Sequence, residues 1–151
     1  MRTVAAQEDS FVVGAAPIDV GALQRAAAGP GWGATVTFLG SVRSPNAGTE
    51  VDHIDYEGYE GMMLAEMRRI ASELRGRYAL GRVLVAHRLG RLGPGEVSLA
   101  AVVASEHRAE AFAALGDLVE ALKARLPVWK YEVGAAGEGF VAGRNDAGPT
   151  L

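Results

Sequence analysis

The chain has 151 residues, of which 49% are hydrophobic and 22% are charged, a composition typical of a soluble globular protein. This length suits one domain with a sizeable core and is short for two. The formal net charge of −3 provides no basic excess to neutralise phosphates, so general nucleic-acid binding is not expected.

The sequence also argues against a membrane protein and against several kinds of site. No apolar run is long enough for a membrane helix, and no signal peptide is recognised at the N-terminus, so a cytoplasmic location is expected. The chain contains no cysteine, which excludes a disulfide, a thiolate metal site and a cysteine nucleophile. Its three histidines lack the spacing of a metal motif, and neither a metal nor a cofactor is predicted.

The spacing of apolar residues predicts elements in the order β-α-β-β-α-β-β-α-β. Their approximate bounds are residues 11–13, 17–28, 34–39, a strand that contains Ile54 and Tyr56, 61–78, 83–89, 97–103, a helix from about 106, and 129–133. Turn-forming residues over 92–95 join two of these strands as a hairpin. Residues 1–10 are predicted to be a disordered lead-in, and the glycine-rich segment from Gly134 is expected to be weakly structured.

Two amphipathic helices are predicted to contribute much of the core. The first buries Met63, Met67, Ile70 and Leu74. The second is expected to bury Phe112, Leu115, Val119 and Leu122. The sequence therefore predicts an α+β fold, with a single domain over residues 11–140, a mainly antiparallel sheet with helices packed on one face, and a flexible tail over 141–151.

Basic residues flank a turn near the C-terminal end of the second helix. Proline disfavours helix in the residue before it, so the chain changes direction at Pro127, between Lys123 and Lys130. One interpretation is an anion site that joins both amines with Arg125. The other is a basic helix end that complements the helix dipole.

Basic residues also stand at two other places. His107 and Arg108 begin the second helix, after Ser105 as a candidate N-cap. Cations at a helix start are unfavourable because they oppose the helix dipole, so one interpretation is that an anion binds at the free N–H groups. The other interpretation is a solvated helix start without a ligand. Arg43 ends a strand beside a polar loop, where exposed arginines are common. His87 lies within a strand pattern and is interpreted as a structural histidine outside the site.

Several blocks of the chain occur together, in the same order, in one known family. They are residues 33–43 (GATVTFLGSVR), 46–48 (NAG), 56–62 (YEGYEGM), 80–90 (LGRVLVAHRLG), 105–108 (SEHR) and 122–130 (LKARLPVWK). Over roughly residues 33–133 the chain thus resembles the large, catalytic subunit of molybdopterin synthase. The resemblance implies an enzyme of molybdenum cofactor biosynthesis that adds two sulfurs to cyclic pyranopterin monophosphate and so forms molybdopterin.

The resemblance also implies the partners of this reaction. Each sulfur arrives as a thiocarboxylate on the C-terminal Gly-Gly of a small ubiquitin-like carrier subunit, which suits a chain without cysteine. Two large subunits pair as a homodimer, and a small subunit at each outer end completes a heterotetramer. The cyclic phosphate and the thiocarboxylate are both anions, which gives the basic residues a function.

The substrate-binding positions of the family correspond to Ser41, Val42, Arg43, His107, Arg108, Lys123, Lys130, Tyr131 and Glu132. Its essential lysines match Lys123 and Lys130, which are predicted to be catalytic. We hypothesise that Arg43, His107 and Arg108 bind the phosphate and the pterin. Lys123 would orient the thiocarboxylate, and Lys130 would stabilise charge as the cyclic phosphate opens.

Two other functions are open from the sequence. A regulatory domain that senses a phosphorylated metabolite would need Arg43, His107 and Arg108 but not the chemistry of the lysines. A subunit that binds the small carrier without turnover is the third possibility. A measurement of dithiolene product separates the enzyme from both.

Overall fold

The computed structural model describes residues 9–137 and 139–144, which contain three α-helices and eight β-strands. In chain order they are β1 (Ser10–Gly14), α1 (Val20–Ala27), β2 (Ala34–Ser41), β3 (Val51–Gly58), α2 (Glu60–Arg75), β4 (Arg82–Arg88), β5 (Gly90–Leu92), β6 (Val97–Ser105), α3 (Arg108–Arg125), β7 (Val128–Gly134) and β8 (Gly139–Arg144). No helix in this part of the chain is long and apolar enough to cross a membrane. Most of the predicted lead-in and tail, residues 1–8 and 145–151, lies outside the described residues.

The strands form two four-stranded sheets, ordered β1-β4-β6-β2 and β5-β3-β7-β8. Strands β1 and β4 are parallel, and the other paired strands are antiparallel. The predicted α+β class and mainly antiparallel pairing are therefore confirmed. The sequence did not predict the second sheet. Its strand β5 is only three residues long and lies in the connection between β4 and β6, which was predicted to be a simple hairpin turn. In the structure β5 pairs with β3 instead.

The helices cover both faces of the first sheet. Helices α2 and α3 pack on one face, where Met67 and Leu118 belong to the main apolar core. Helix α1 packs on the opposite face through Leu23 and Ala27, in a smaller cluster. Because both faces are covered, β6 is buried from Ser98 to Ser105. The prediction that the helices share one face is thus corrected for α1, a helix of eight residues whose short apolar stripe does not indicate a side of the sheet.

The two long helices differ in how well their spacing predicted the core. In α2 the predicted residues are all buried: Met63, Met67, Ile70 and Leu74. In α3 the buried residues are Ala111, Ala114, Leu118 and Leu122, whereas Phe112 is 63% exposed. Leu115 and Val119 are only partly buried. The prediction for Phe112 is wrong because α3 has apolar residues on more than one side, so spacing alone did not identify the face that packs on the sheet.

The end of α3 leads directly into β7. Leu126 caps the helix in an extended conformation, as expected for a residue that precedes a proline. Strand β8 then pairs with β7 and extends the second sheet. The weak structure predicted from Gly134 onward is therefore wrong for the segment Gly139–Arg144.

Candidate functional site

Strand β7 places Lys130 and Glu132 on the core-facing side of the second sheet, since alternate residues of a strand share a face. Lys130 pairs across the strands with Tyr56, and Glu132 pairs with Ile54. Tyr56, Ile54 and Glu132 are buried, while Lys130 is half-buried. Tyr131 lies on the opposite, outer face and is 42% exposed, so its side chain does not join this group.

Lys123 approaches the same region from the last turn of α3. Its side chain is half-buried. Burial lowers the pKa of Lys123 below 10.5, and the carboxylate of Glu120 opposes this effect. Lys123 and Lys130 both lower the pKa of His87 through their charge, so both amines lie within electrostatic reach of one imidazole although the chain turns between them.

His87 lies near the end of β4, next to the phenol ring of Tyr56. The two ring centroids are 5.6 Å apart, and the rings meet edge to face at 67°. The Nδ1 atom of His87 is 2.9 Å from the carbonyl oxygen of Arg88. Because a carbonyl oxygen only accepts, Nδ1 carries the proton. Burial lowers the pKa of His87 to about 4, a change that the two lysines enhance and the Arg88 hydrogen bond opposes. The ring is therefore neutral at neutral pH.

Sequence reasoning left His87 out of the site, and the structure places it beside the lysines. Burial raises the pKa of the neighbouring Tyr56, a hydrogen bond to Ser98 opposes this, and the charge of Glu132 adds to it. A neutral imidazole and a neutral phenol thus lie beside the amines. No local pattern reveals this arrangement, because the contact joins strands of different sheets.

The buried His87 predicts a loss of stability in acid. Its pKa is about 4 in the folded chain against an ordinary value of 6.5, so between these values the unfolded chain binds more protons. The free energy of unfolding should therefore fall as the pH decreases, by about 3 kcal/mol through this side chain between pH 7 and pH 4. Urea unfolding of the unmutated protein and of His87→Asn at both pH values measures the difference. An equal loss in the two proteins would contradict the prediction.

Arg43 lies in the segment that follows β2, where its side chain is exposed to solvent. Val42 is buried, and its backbone N–H and carbonyl are both hydrogen-bonded to the turn that precedes β6. Val42 therefore anchors the chain, and neither backbone group is left for a ligand. Ser41 and Arg43 are exposed on either side of it. Arg43 donates to Oδ1 of Asn46 from Nε at 3.3 Å and from Nη2 at 3.0 Å.

Asn46 connects Arg43 to strand β7. Its Nδ2 atom lies 3.4 Å from Oε1 and 3.2 Å from Oε2 of Glu132. The Glu132 carboxylate is almost fully buried, with the residue 2% exposed, and it lies two positions along the same strand face from Lys130. A chain of contacts therefore runs from Arg43 through Asn46 to the face that presents Lys130.

Arg125 does not join the two lysines. Its Nε atom donates to Glu66 at 2.7 Å, and its two Nη atoms donate to Glu73. The hydrogen bond that Arg125 donates to Glu73 raises the pKa of Arg125, burial opposes this effect, and the hydrogen bond to Glu66 adds to it. The interpretation that included Arg125 in an anion site is wrong, because two carboxylates of α2 hold its guanidinium.

His107 and Arg108 lie at the other end of α3. At about 1.5 Å of rise per residue, Arg108 and Lys123 are separated by about 22 Å along the helix axis. Both residues at the helix start are exposed. His107 itself is the N-cap, while Ser105 is buried and donates to the carbonyl of Ala79, so the predicted capping by Ser105 is wrong. Within one chain, His107 and Arg108 do not reach the lysines.

The region around the lysines can bind an anion and exchange protons. Two half-buried amines stand beside neutral aromatic rings, and a lowered pKa makes proton transfer from an amine easier at neutral pH. In the part of the chain that the structure describes, no group of three or more His, Asp or Glu side chains is arranged to hold a metal ion.

Comparisons with known proteins point to one family. The family described as MoaE protein matches residues 13–125. The chain is 40% identical to the molybdopterin synthase catalytic subunit of Salmonella typhimurium over 139 residues, which cover 91% of this chain and 93% of the relative. It is 46% identical to the protein of the same name from Cereibacter sphaeroides over 114 residues, 76% of this chain and 77% of the relative. Molybdopterin synthase from Staphylococcus aureus superposes with a TM-score of 0.84 at 25% identity, over 91% of this chain and 99% of that chain.

Proposed function

We propose that this chain, which belongs to the MoaE protein family, is the catalytic subunit of a molybdopterin synthase. It converts cyclic pyranopterin monophosphate into molybdopterin, as a sulfurtransferase of molybdenum cofactor biosynthesis. The observation that supports this function is that Lys123 and Lys130 are both half-buried and act on the same buried imidazole. Two amines placed in this way form a site for anionic reactants. A basic helix end in open solvent would not form such a site.

We assign separate roles to the charged groups. Arg43, exposed beside the polar loop, binds the phosphate of the substrate through charge-assisted hydrogen bonds. Lys123 binds the thiocarboxylate. As the sulfur bonds to a carbon of the substrate and the bond from that carbon to oxygen breaks, Lys123 donates a proton to the departing oxygen, a role that its lowered pKa assists. Water then cleaves the acyl–sulfur bond, which leaves the sulfur on the substrate and a carboxylate on the carrier. Lys130 stabilises the negative charge that develops as the cyclic phosphate opens. Ser41 and Glu132 complete the lining of the substrate site. Val42 and Tyr131 contribute by holding the backbone of the segments that carry their neighbours.

The sulfur donor in this proposal is a small ubiquitin-like carrier with a C-terminal Gly-Gly thiocarboxylate. The chain has no cysteine that could hold the sulfur itself, so an external carrier is required. The tail of this carrier reaches Lys123, and its negative charge suits the amine. A cytoplasmic location belongs to the same proposal, and fractionation of cells that express the tagged chain would check it.

The proposal includes a homodimer whose two sites are shared. Because about 22 Å of helix separates Arg108 from Lys123, the predicted residues come together only if they belong to different copies. A two-fold axis brings the start of α3 in one copy to the lysines of the other, and it makes both sites equivalent. His107 and Arg108 then bind the substrate that Lys123 and Lys130 transform in the partner.

The experiment that tests this function combines the purified chain with cyclic pyranopterin monophosphate and the thiocarboxylated carrier. We expect dithiolene product to accumulate at the expense of carrier thiocarboxylate. Binding of both reactants without product would instead support the sensor or the scaffold function, and the enzymatic proposal would be abandoned. Carrier with an ordinary C-terminal carboxylate is the control, since it can bind but delivers no sulfur.

A further inference from the structure

The contacts of Asn46 permit only one orientation of its side-chain amide. Arg43 has only donors, so it must face Oδ1. The two oxygens of the Glu132 carboxylate accept hydrogen bonds, so they must face Nδ2. An aspartate in place of Asn46 would have no donor for the Glu132 carboxylate, and a serine would have a shorter side chain than asparagine. Asparagine therefore matches the two neighbours in both size and hydrogen-bonding pattern.

The backbone holds Asn46 in place independently of its side chain. Asn46 and Thr49 exchange two backbone hydrogen bonds, of 2.9 and 3.0 Å. The two residues between them, Ala47 and Gly48, have φ angles of 50° and 81°, the positive pair that a tight two-residue turn requires. A change of the Asn46 side chain should therefore leave this turn intact.

The guanidinium of Arg43 is bound along one edge only. Its Nε and Nη2 atoms face Oδ1 of Asn46, whereas Nη1 has no hydrogen-bond partner among the residues that the structure describes. The outer edge, formed by Nη1 and the second hydrogen of Nη2, has the parallel donors that bind phosphate or carboxylate in a bidentate manner. Arg43 is exposed, so this edge is accessible to a ligand.

We propose that Asn46 is a positioning residue, which holds Arg43 with its outer edge free for the anionic substrate and separates it from the buried carboxylate of Glu132. The inference rests on the proposed function, because it takes the phosphate of the substrate as the anion. Without the intervening amide, Arg43 and Glu132 carry opposite charges on neighbouring segments and would form a direct ion pair. That pair would occupy the guanidinium and reduce its ability to bind a second anion.

The substitution Asn46→Asp tests this role with almost no change in size. The new carboxylate pairs with Arg43 directly and faces Glu132 without a donor. We expect the KM for cyclic pyranopterin monophosphate to rise by about tenfold, with kcat changed by less than about twofold, because ground-state binding is what is lost. In an Arg43→Ala background the same substitution should change KM by less than about twofold, since its effect requires the guanidinium. An equal rise in both backgrounds would overturn the inference.

A second comparison separates positioning from a structural role. In Asn46→Asp with Glu132→Gln, the new glutamine donates to the new aspartate, so every hydrogen-bonding group has a partner again. Thermal stability should return to that of Glu132→Gln alone, while KM stays raised because the carboxylate at position 46 still neutralises the charge of Arg43. Recovery of KM together with stability would show that Asn46 is only structural.

The inference can be tested even if the proposed function fails. Should the unmutated chain form no product, calorimetry with inorganic phosphate on the same proteins replaces the kinetic measurement. Binding that depends on Arg43 and weakens about tenfold in Asn46→Asp would support the positioning role. Phosphate binding that is equal in the unmutated protein and in Asn46→Asp would overturn it.

Discussion

Replacement of Lys123 or Lys130 by alanine is expected to lower the rate of molybdopterin formation by about 10²-fold or more, the range that is typical when a positioned acid or base is removed. Each amine is half-buried and close to a neutral imidazole, so solvent does not readily substitute for it. The measurement is dithiolene formed per minute at saturating carrier and substrate. Full turnover by Lys130→Ala would contradict the assignment of that residue.

Arg125→Ala is the matched control for the lysine variants. It removes a positive charge from the same segment, but Glu66 and Glu73 hold its guanidinium. We expect turnover within about twofold of the unmutated protein, together with a lower melting temperature, because Glu66 and Glu73 each lose a hydrogen-bonding partner. A loss of turnover as large as that of the lysine variants would show that overall charge, rather than the two amines, determines activity.

The sequence predicts the elements of this fold best where a single periodic face packs on the core. Helix α2 follows its stripe of Met63, Met67, Ile70 and Leu74, since all the charged residues of this helix lie off that stripe. Helix α3 has apolar residues around its circumference, so the same spacing rule selected the exposed Phe112. Strand β5 is too short for its residues to show the alternation of a strand. Strand β8 was missed because its glycine-rich sequence is not typical of a strand, although it pairs with β7.

The candidate site shows a similar division. The resemblance predicts Lys123, Lys130 and Arg43 as site residues, because the charged residues of the matching blocks can be read directly from the sequence. The resemblance could not assign a partner to Arg125, because the two carboxylates that bind its guanidinium belong to α2, a distant segment of the chain. The roles of His87 and Asn46 depend on contacts between separate strands and loops, for which no local pattern exists.

A mixture of two impaired variants, Lys130→Ala and Arg108→Ala, is expected to recover activity. Arg108→Ala removes an exposed guanidinium that we assign to the neighbouring copy's site, so each variant alone has two damaged sites. In a mixed dimer both substitutions fall in one site and the other is intact. Random exchange makes half of the dimers mixed, each with one of two sites intact, so about a quarter of the unmutated activity should return.

The pairing of substitutions makes this result diagnostic. A mixture of Lys123→Ala with Lys130→Ala should recover nothing, because both lysines serve the site of their own chain and every site keeps one defect. If each chain instead formed a complete site alone, neither mixture would regain activity, since no chain would be free of substitution. Recovery in the first mixture alone therefore requires Arg108 and Lys130 to act together from different copies, as we propose from their separation along α3.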